Sequence, residues 1–169
     1  TTSPGDSTSL YYVIRNTGSS IDSFSIAVSS TLGWASTDLD STITQFVGIG
    51  ETLTLSVQVI VPQAALLSQI DIVTLSITSA GSGYVLSETT RVMAGENLQA
   101  TVDIIDTTTM VVPGLSQTMS FTVENTGNAP TSFDLVSGLS VNALNWVHNI
   151  SITNTGELQV GETVTGFIT

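Results

Sequence analysis

Residues 4–18 read Pro-Gly-Asp-Ser-Thr-Ser-Leu-Tyr-Tyr-Val-Ile-Arg-Asn-Thr-Gly, and residues 113–127 read Pro-Gly-Leu-Ser-Gln-Thr-Met-Ser-Phe-Thr-Val-Glu-Asn-Thr-Gly. Both stretches open on Pro-Gly, alternate apolar with polar positions and close on Asn-Thr-Gly, 109 residues apart. Ser23-Phe24 returns as Ser132-Phe133 at the same offset, Trp34 finds Trp146 at 112, and Gly50-Glu51-Thr52 returns as Gly161-Glu162-Thr163 at 111. Loop insertions between strands of fixed register produce drift of this kind. A period of about one hundred residues is the size of one small β-sandwich. The duplication therefore makes the chain part of an array of small domains rather than one large domain.

Alternation with a period of two marks strands that bury one face. Ser7–Arg15 is expected to turn Leu10, Tyr12 and Ile14 inward, leaving Tyr11 and Val13 outside or at a contact between modules. Asp22–Ser29 does the same with Phe24, Ile26 and Val28, and Glu51–Val61 with Leu53, Leu55, Val57, Val59 and Val61. Pro62 ends that strand because proline cannot donate to a ladder. Asp71–Thr78 and Tyr84–Met93 read as a hairpin about Ala80-Gly81-Ser82-Gly83, and Leu98–Ile105 opens the second module. Asn16-Thr17-Gly18-Ser19 reads as a tight turn, where Asn and Gly accept positive φ. Gln63–Gln69 is the only helical candidate. The fold expected is all-β, with one sandwich module over residues 1–95 and a second over 96–169. The first would lack its opening strand and the second its closing strands, which would come from flanking sequence or from a neighbouring copy.

Charged residues make up 9% of the chain, far below the usual quarter, and Ser and Thr supply 50 of its 169 residues. Fourteen carboxylates face Arg15 and Arg91 alone, for a formal charge of −12. A chain so poor in cations cannot neutralise phosphates, which argues against nucleic-acid partners. It also lacks the basic clusters that dock on anionic lipid. With no cysteine there are no disulfides, thiolate nucleophiles or Cys-ligated metals. No apolar run reaches the roughly 18 residues of a membrane-spanning helix, so direct membrane insertion of this segment is not expected. No signal peptide opens the chain, and an export signal would lie upstream. The absence of lysine rules out Lys–Asn isopeptide cross-links.

The paired Pro-Gly and Asn-Thr-Gly, the Trp after a polar loop, and Gly-Glu-Thr before a long alternating strand carry a resemblance. The chain is similar to the immunoglobulin-like repeats of prokaryotic surface proteins, of the CARDB type (cell-adhesion-related domain found in bacteria) and the related α-galactosidase-associated modules. The resemblance spans Ser3 to about Val61 and Thr107 to Thr169. It implies tandem immunoglobulin-like β-sandwiches in an exported, multi-module protein, where such repeats act as spacers, stalks or adhesive units. It carries over no catalytic residue and no cofactor. The cysteine and tryptophan spacing of antibody domains is absent.

Candidate sites are few. His148 is the only histidine, so no triad with a second shell and no His-rich metal site can be assembled from side chains in this chain, and it reads as a polar loop residue. Asp38 and Asp40 are the weak metal candidates: they could offer two carboxylates to Ca²⁺, which needs six to eight oxygens. Trp34 and Trp146 could stack on sugar rings, although their repeated position suggests one structural task performed twice, capping the sandwich core. Asn149-Ile150-Ser151 is a glycosylation sequon, meaningful if the chain is exported. The functional expectation is a stalk or spacer of a cell-surface protein whose partners are neighbouring modules. The alternatives are a filament subunit that receives strands from other copies of itself, and a carbohydrate-binding accessory module of a secreted enzyme.

Overall fold

The structure, a computed structural model, describes residues 1–39, 42–105, 110, 112–139 and 146–169. It is all-β: every regular element among the described residues is a strand, and all the sheets are antiparallel. The chain divides into two compact units, Thr1–Glu96 and Asn97–Thr169.

Unit one holds two sheets. Strands β1 (Ser7–Arg15) and β3 (Thr52–Ile60) form one of them. Strand β2 (Phe24–Ser30), β4 (Ile70–Ser79) and β5 (Val85–Met93) form the other, in the order β2-β4-β5. Every second residue points to one face of a strand, and in unit one those faces meet. Tyr12, Val57 and Val59 from the first sheet share a core with Ile26, Val28, Val73, Leu75 and Val92 from the second, and Trp34 closes it. This is a β-sandwich. Tyr11 and Val13, on the opposite face of β1, are exposed.

Among the described residues unit two has one sheet, β6-β7-β8, from β6 (Ala100–Ile104), β7 (Met119–Asn125) and β8 (Thr163–Ile168). Phe121, Val123, Ala129 and Leu158 are buried there, whereas every residue of β6 is exposed.

The duplication extends to individual hydrogen bonds. The side-chain amide of Asn16 donates to the carbonyls of Ser20 and Val47, and its oxygen accepts from the Gly18 amide. Asn125 makes the matching bonds to Ala129, Leu158 and Gly127. The Gly48 amide donates to the Glu51 carboxylate, as the Gln159 amide does to Glu162. The bridges Asp22–Val47 and Ser25–Ile43 return as Thr131–Leu158 and Asp134–Asn154. Gly50 and Gly161 both adopt φ of 77°, in the left-handed region that strains any residue with a Cβ.

Several expectations require correction. Residues 63–69 form two successive turns, closed by Ala65 N–H to the Pro62 carbonyl and Gln69 N–H to the Leu66 carbonyl. Ser68, at φ 65°, interrupts any helical run, and seven residues are too few to offset helix nucleation. The turn at residues 16–19 uses no positive φ, and Asn16 acts there through its buried side chain. Residues 133–139, which match β2, form no strand. In unit one β2 is held by β4, and among the described residues no strand pairs with 133–139 in that way.

Candidate functional site

The ladder β1–β3 sets Leu10 opposite Val57, and β7–β8 sets Met119 opposite Ile168. In unit one Val57 lies in the core at 1% exposure, and Leu10 packs partly buried against it. In unit two Met119 and Ile168 instead line an open groove of about 620 Å³, together with Leu115, Leu139, Trp146 and Val147. Among the described residues no carboxylate or guanidinium side chain lines it. Among the described lining residues His148 carries the one titratable side chain, and its Nε2 lies 3.2 Å from the Ser137 carbonyl oxygen.

The two tryptophans do not perform one task twice. Trp34 is 5% exposed and Trp146 is 59% exposed. The hydrogen-bond register also places the two indoles at different ladder positions. Beside β3, Ser36 N–H donates to the Gln58 carbonyl and Ala35 bridges Val59. Beside β8, the Asn149 N–H donates to Thr169 and Ile150 bridges Ile168. Gln58 matches Thr169, so Ser36 matches Asn149, 113 residues on, and the ladder position of Trp34 falls to Val147. The sequence match at 112 is therefore one residue out of register, and in a strand a one-residue slip exchanges the two faces. Buried as it is, Trp34 is not available to stack on a sugar. Trp146 is accessible and borders the groove.

Asp38 is exposed, and its backbone N–H donates to the Ser36 hydroxyl. Asp40 lies outside the described residues. Among the described residues no group of three or more His, Cys, Asp or Glu side chains converges as a metal site would require. Asn149 is exposed, and its backbone exchanges two hydrogen bonds with Thr169 at 2.8 and 3.0 Å. The Ser151 hydroxyl accepts from the Phe167 amide at 2.8 Å.

Two carboxylates that sequence reasoning passed over are structural. Asp71 is fully buried. Its oxygens accept from the Ser30 hydroxyl, from the Thr31 hydroxyl at 2.9 Å and from the Leu32 amide at 2.8 Å. Burial pushes its carboxyl up, but hydrogen bonds from Ser30, Leu32, Thr31 and Trp34 outweigh it and hold the group below the usual carboxylate range. Asp22 is also lowered, first by the Ser79 hydroxyl, and it accepts from the Gly81 and Ser23 amides. It braces the β4–β5 turn. Only position parity could have flagged Asp71, an acid beginning the alternating apolar run of β4.

No helix among the described residues is long and apolar enough to cross a membrane. No family model matches the chain, and no curated protein matches it. Among solved structures it is similar to the crystal structure of a protein of unknown function from Porphyromonas gingivalis W83. That similarity has 16% sequence identity and a TM-score of 0.42, over 99% of this chain and 76% of that one.

Proposed function

We propose that the chain is a structural segment of an exported prokaryotic cell-surface or surface-layer-like protein, a tandem of immunoglobulin-like repeats of the CARDB or α-galactosidase-associated kind. Its role is that of a stalk, spacer or adhesive unit. The observation that supports this reading is the recurrence of one hydrogen-bonded framework in both units, centred on Asn16 and Asn125. Duplication of a framework, with side chains between the landmarks free to differ, suits a part whose value lies in length and rigidity. The exposed Asn149 would carry sugar on such a surface.

Antibodies against the chain are expected to label intact cells of the source organism, and purified parent protein to carry glycan at Asn149. Labelling that requires permeabilised cells would overturn the reading.

A specific observation favours a second reading, a filament subunit assembled by strand donation between copies. Strand β7 has β6 on one edge and β8 on the other, whereas among the described residues β1 pairs with β3 alone. An unpaired strand edge is a template for another strand. Electron microscopy of the purified chain separates the two: fibres support the filament, and monomers at high concentration support the stalk.

A further inference from the structure

Strands β1 and β5 of unit one begin to come apart at the same end of the sandwich. Ser7, the first residue of β1, pairs with Ile60, and Met93, the last of β5, pairs with Ile70. The hydrogen bonds of an antiparallel ladder lie across its strands, so a strand pulled from its end opens one pair at a time. Residues 2–6 lie over that end as a strap. Thr2 pairs in parallel with Ala94: its N–H donates to the Met93 carbonyl at 3.1 Å, and its carbonyl accepts from the Gly95 amide at 2.9 Å. On the other sheet, just past β3, the Gly5 amide donates to the Val61 carbonyl at 2.8 Å and the Val61 amide to the Asp6 carbonyl at 3.0 Å. Pro4, between the two anchorages, is buried. The segment gripped by Thr2 is itself held from its far side, where Ser68 N–H donates to the Ala94 carbonyl and Ala94 N–H to the Gln69 carbonyl.

We infer that this strap is a force-bearing catch, which makes unit one resist tension applied through residues 1 and 96. Thr1 precedes and Glu96 follows the paired residues, and the two segments run the same way. Tension between Thr1 and Glu96 therefore drags Thr2 along Ala94 rather than away from it. Both Thr2 hydrogen bonds carry that load at once and must fail together. The β1–β3 and β4–β5 ladders behind them are loaded across, pair by pair, and only after the catch has opened.

The catch acts on rate rather than on equilibrium. Two backbone hydrogen bonds add little to the stability of a folded unit, but forced unfolding follows the unfolding barrier, and these two bonds stand at the start of the route over it. The inference concerns unit one alone. It rests on the stalk reading for its use, since a stalk is loaded through the chain ends of its modules.

The test pulls the full chain in optical tweezers along two axes. The sequence has no cysteine, so paired cysteine handles attach only where they are placed. One pair, Thr1→Cys with Glu96→Cys, loads the catch along the strands. The other, Thr17→Cys with Tyr84→Cys, uses exposed residues beyond Arg15 and before Val85, and opens β1 and β5 from their opposite ends without loading the catch first. Gly95→Pro removes the amide that Thr2 accepts from, and a Cβ at position 95 comes no nearer to Thr2 than 3.6 Å, an ordinary contact. Thr2→Pro removes the other donor. The first axis is expected to rupture at higher force than the second, and either proline variant to lose most of that excess while leaving the second axis unchanged. Equal rupture forces along the two axes of the parent overturn the proposal, as does an excess that both variants retain. Either result would leave the labelling of intact cells, and with it the stalk reading, unaffected.

Discussion

The side-chain amide of Asn16 donates to the carbonyl oxygen of Val47 at 2.8 Å, joining residues 31 positions apart in a buried setting. The same amide reaches the Ser20 carbonyl at 2.9 Å, so one side chain closes both the turn after β1 and the loop before β3. Truncation strands two carbonyls and the Gly18 amide. Each buried group left unsatisfied costs about 1–3 kcal/mol, partly relieved by water at the Gly18 side. Asn16→Ala is expected to lower the stability of unit one by about 3 kcal/mol, and Asn125→Ala to loosen unit two alone. Urea unfolding of the first variant and hydrogen exchange around Leu158 in the second check this.

Asp71 makes stability depend on pH. Its folded value lies below the unfolded one, near 3.9, so its contribution is complete at neutral pH and is lost as pH falls through the folded value. Asp71→Asn should be less stable than the parent at pH 7, with the difference shrinking below about pH 4. Thermal midpoints of both proteins between neutral and strongly acid pH test the convergence, and parallel curves would refute it.

Gly166 faces Phe121 across the β7–β8 ladder. A Cβ at that position would meet the Phe121 ring and the Ile152 side chain, so the aromatic covers a gap left by the glycine. Unit one solves the same position with Leu55 opposite Tyr12. Gly166→Leu is therefore expected to cost about 1–3 kcal/mol through overpacking and to accelerate amide exchange at Val123 and Phe167.

The two indoles should respond differently to truncation. Trp34→Ala removes a buried side chain from the shared core and should cost about 3–5 kcal/mol. Trp146→Ala removes a side chain that is 59% exposed and should stay within about 0.5 kcal/mol. Acrylamide should quench the parent through Trp146 alone. Equal losses of stability for the two variants would contradict the register described for Val147.

Much of the fold was legible in the chain. The inward faces of β1, β3 and β4 follow from alternation, since Tyr12, Val57 and Leu75 each sit at the right parity for burial. The hairpin about residues 80–83 follows from its glycines and serines. Residues 63–69 were less legible, because Ala and Leu favour helix locally while the Ser68 amide and the Gln69 carbonyl are both taken by Ala94, more than twenty residues on. The groove was not legible. Its apolar side chains read as ordinary core residues, and only their packing shows Trp146 and Val147 open to solvent.

By itself the sequence determined the duplication, which is a pattern in the chain, and the strand faces and the turn at residues 80–83, which depend on residues within a few positions of one another. Only tertiary structure decided that Asn16 is a clamp, that Asp71 is a buried acceptor, and that Trp146 is open to solvent where Trp34 is enclosed. Burial is set by what packs on the far side of a residue, and that neighbour can lie anywhere along the chain.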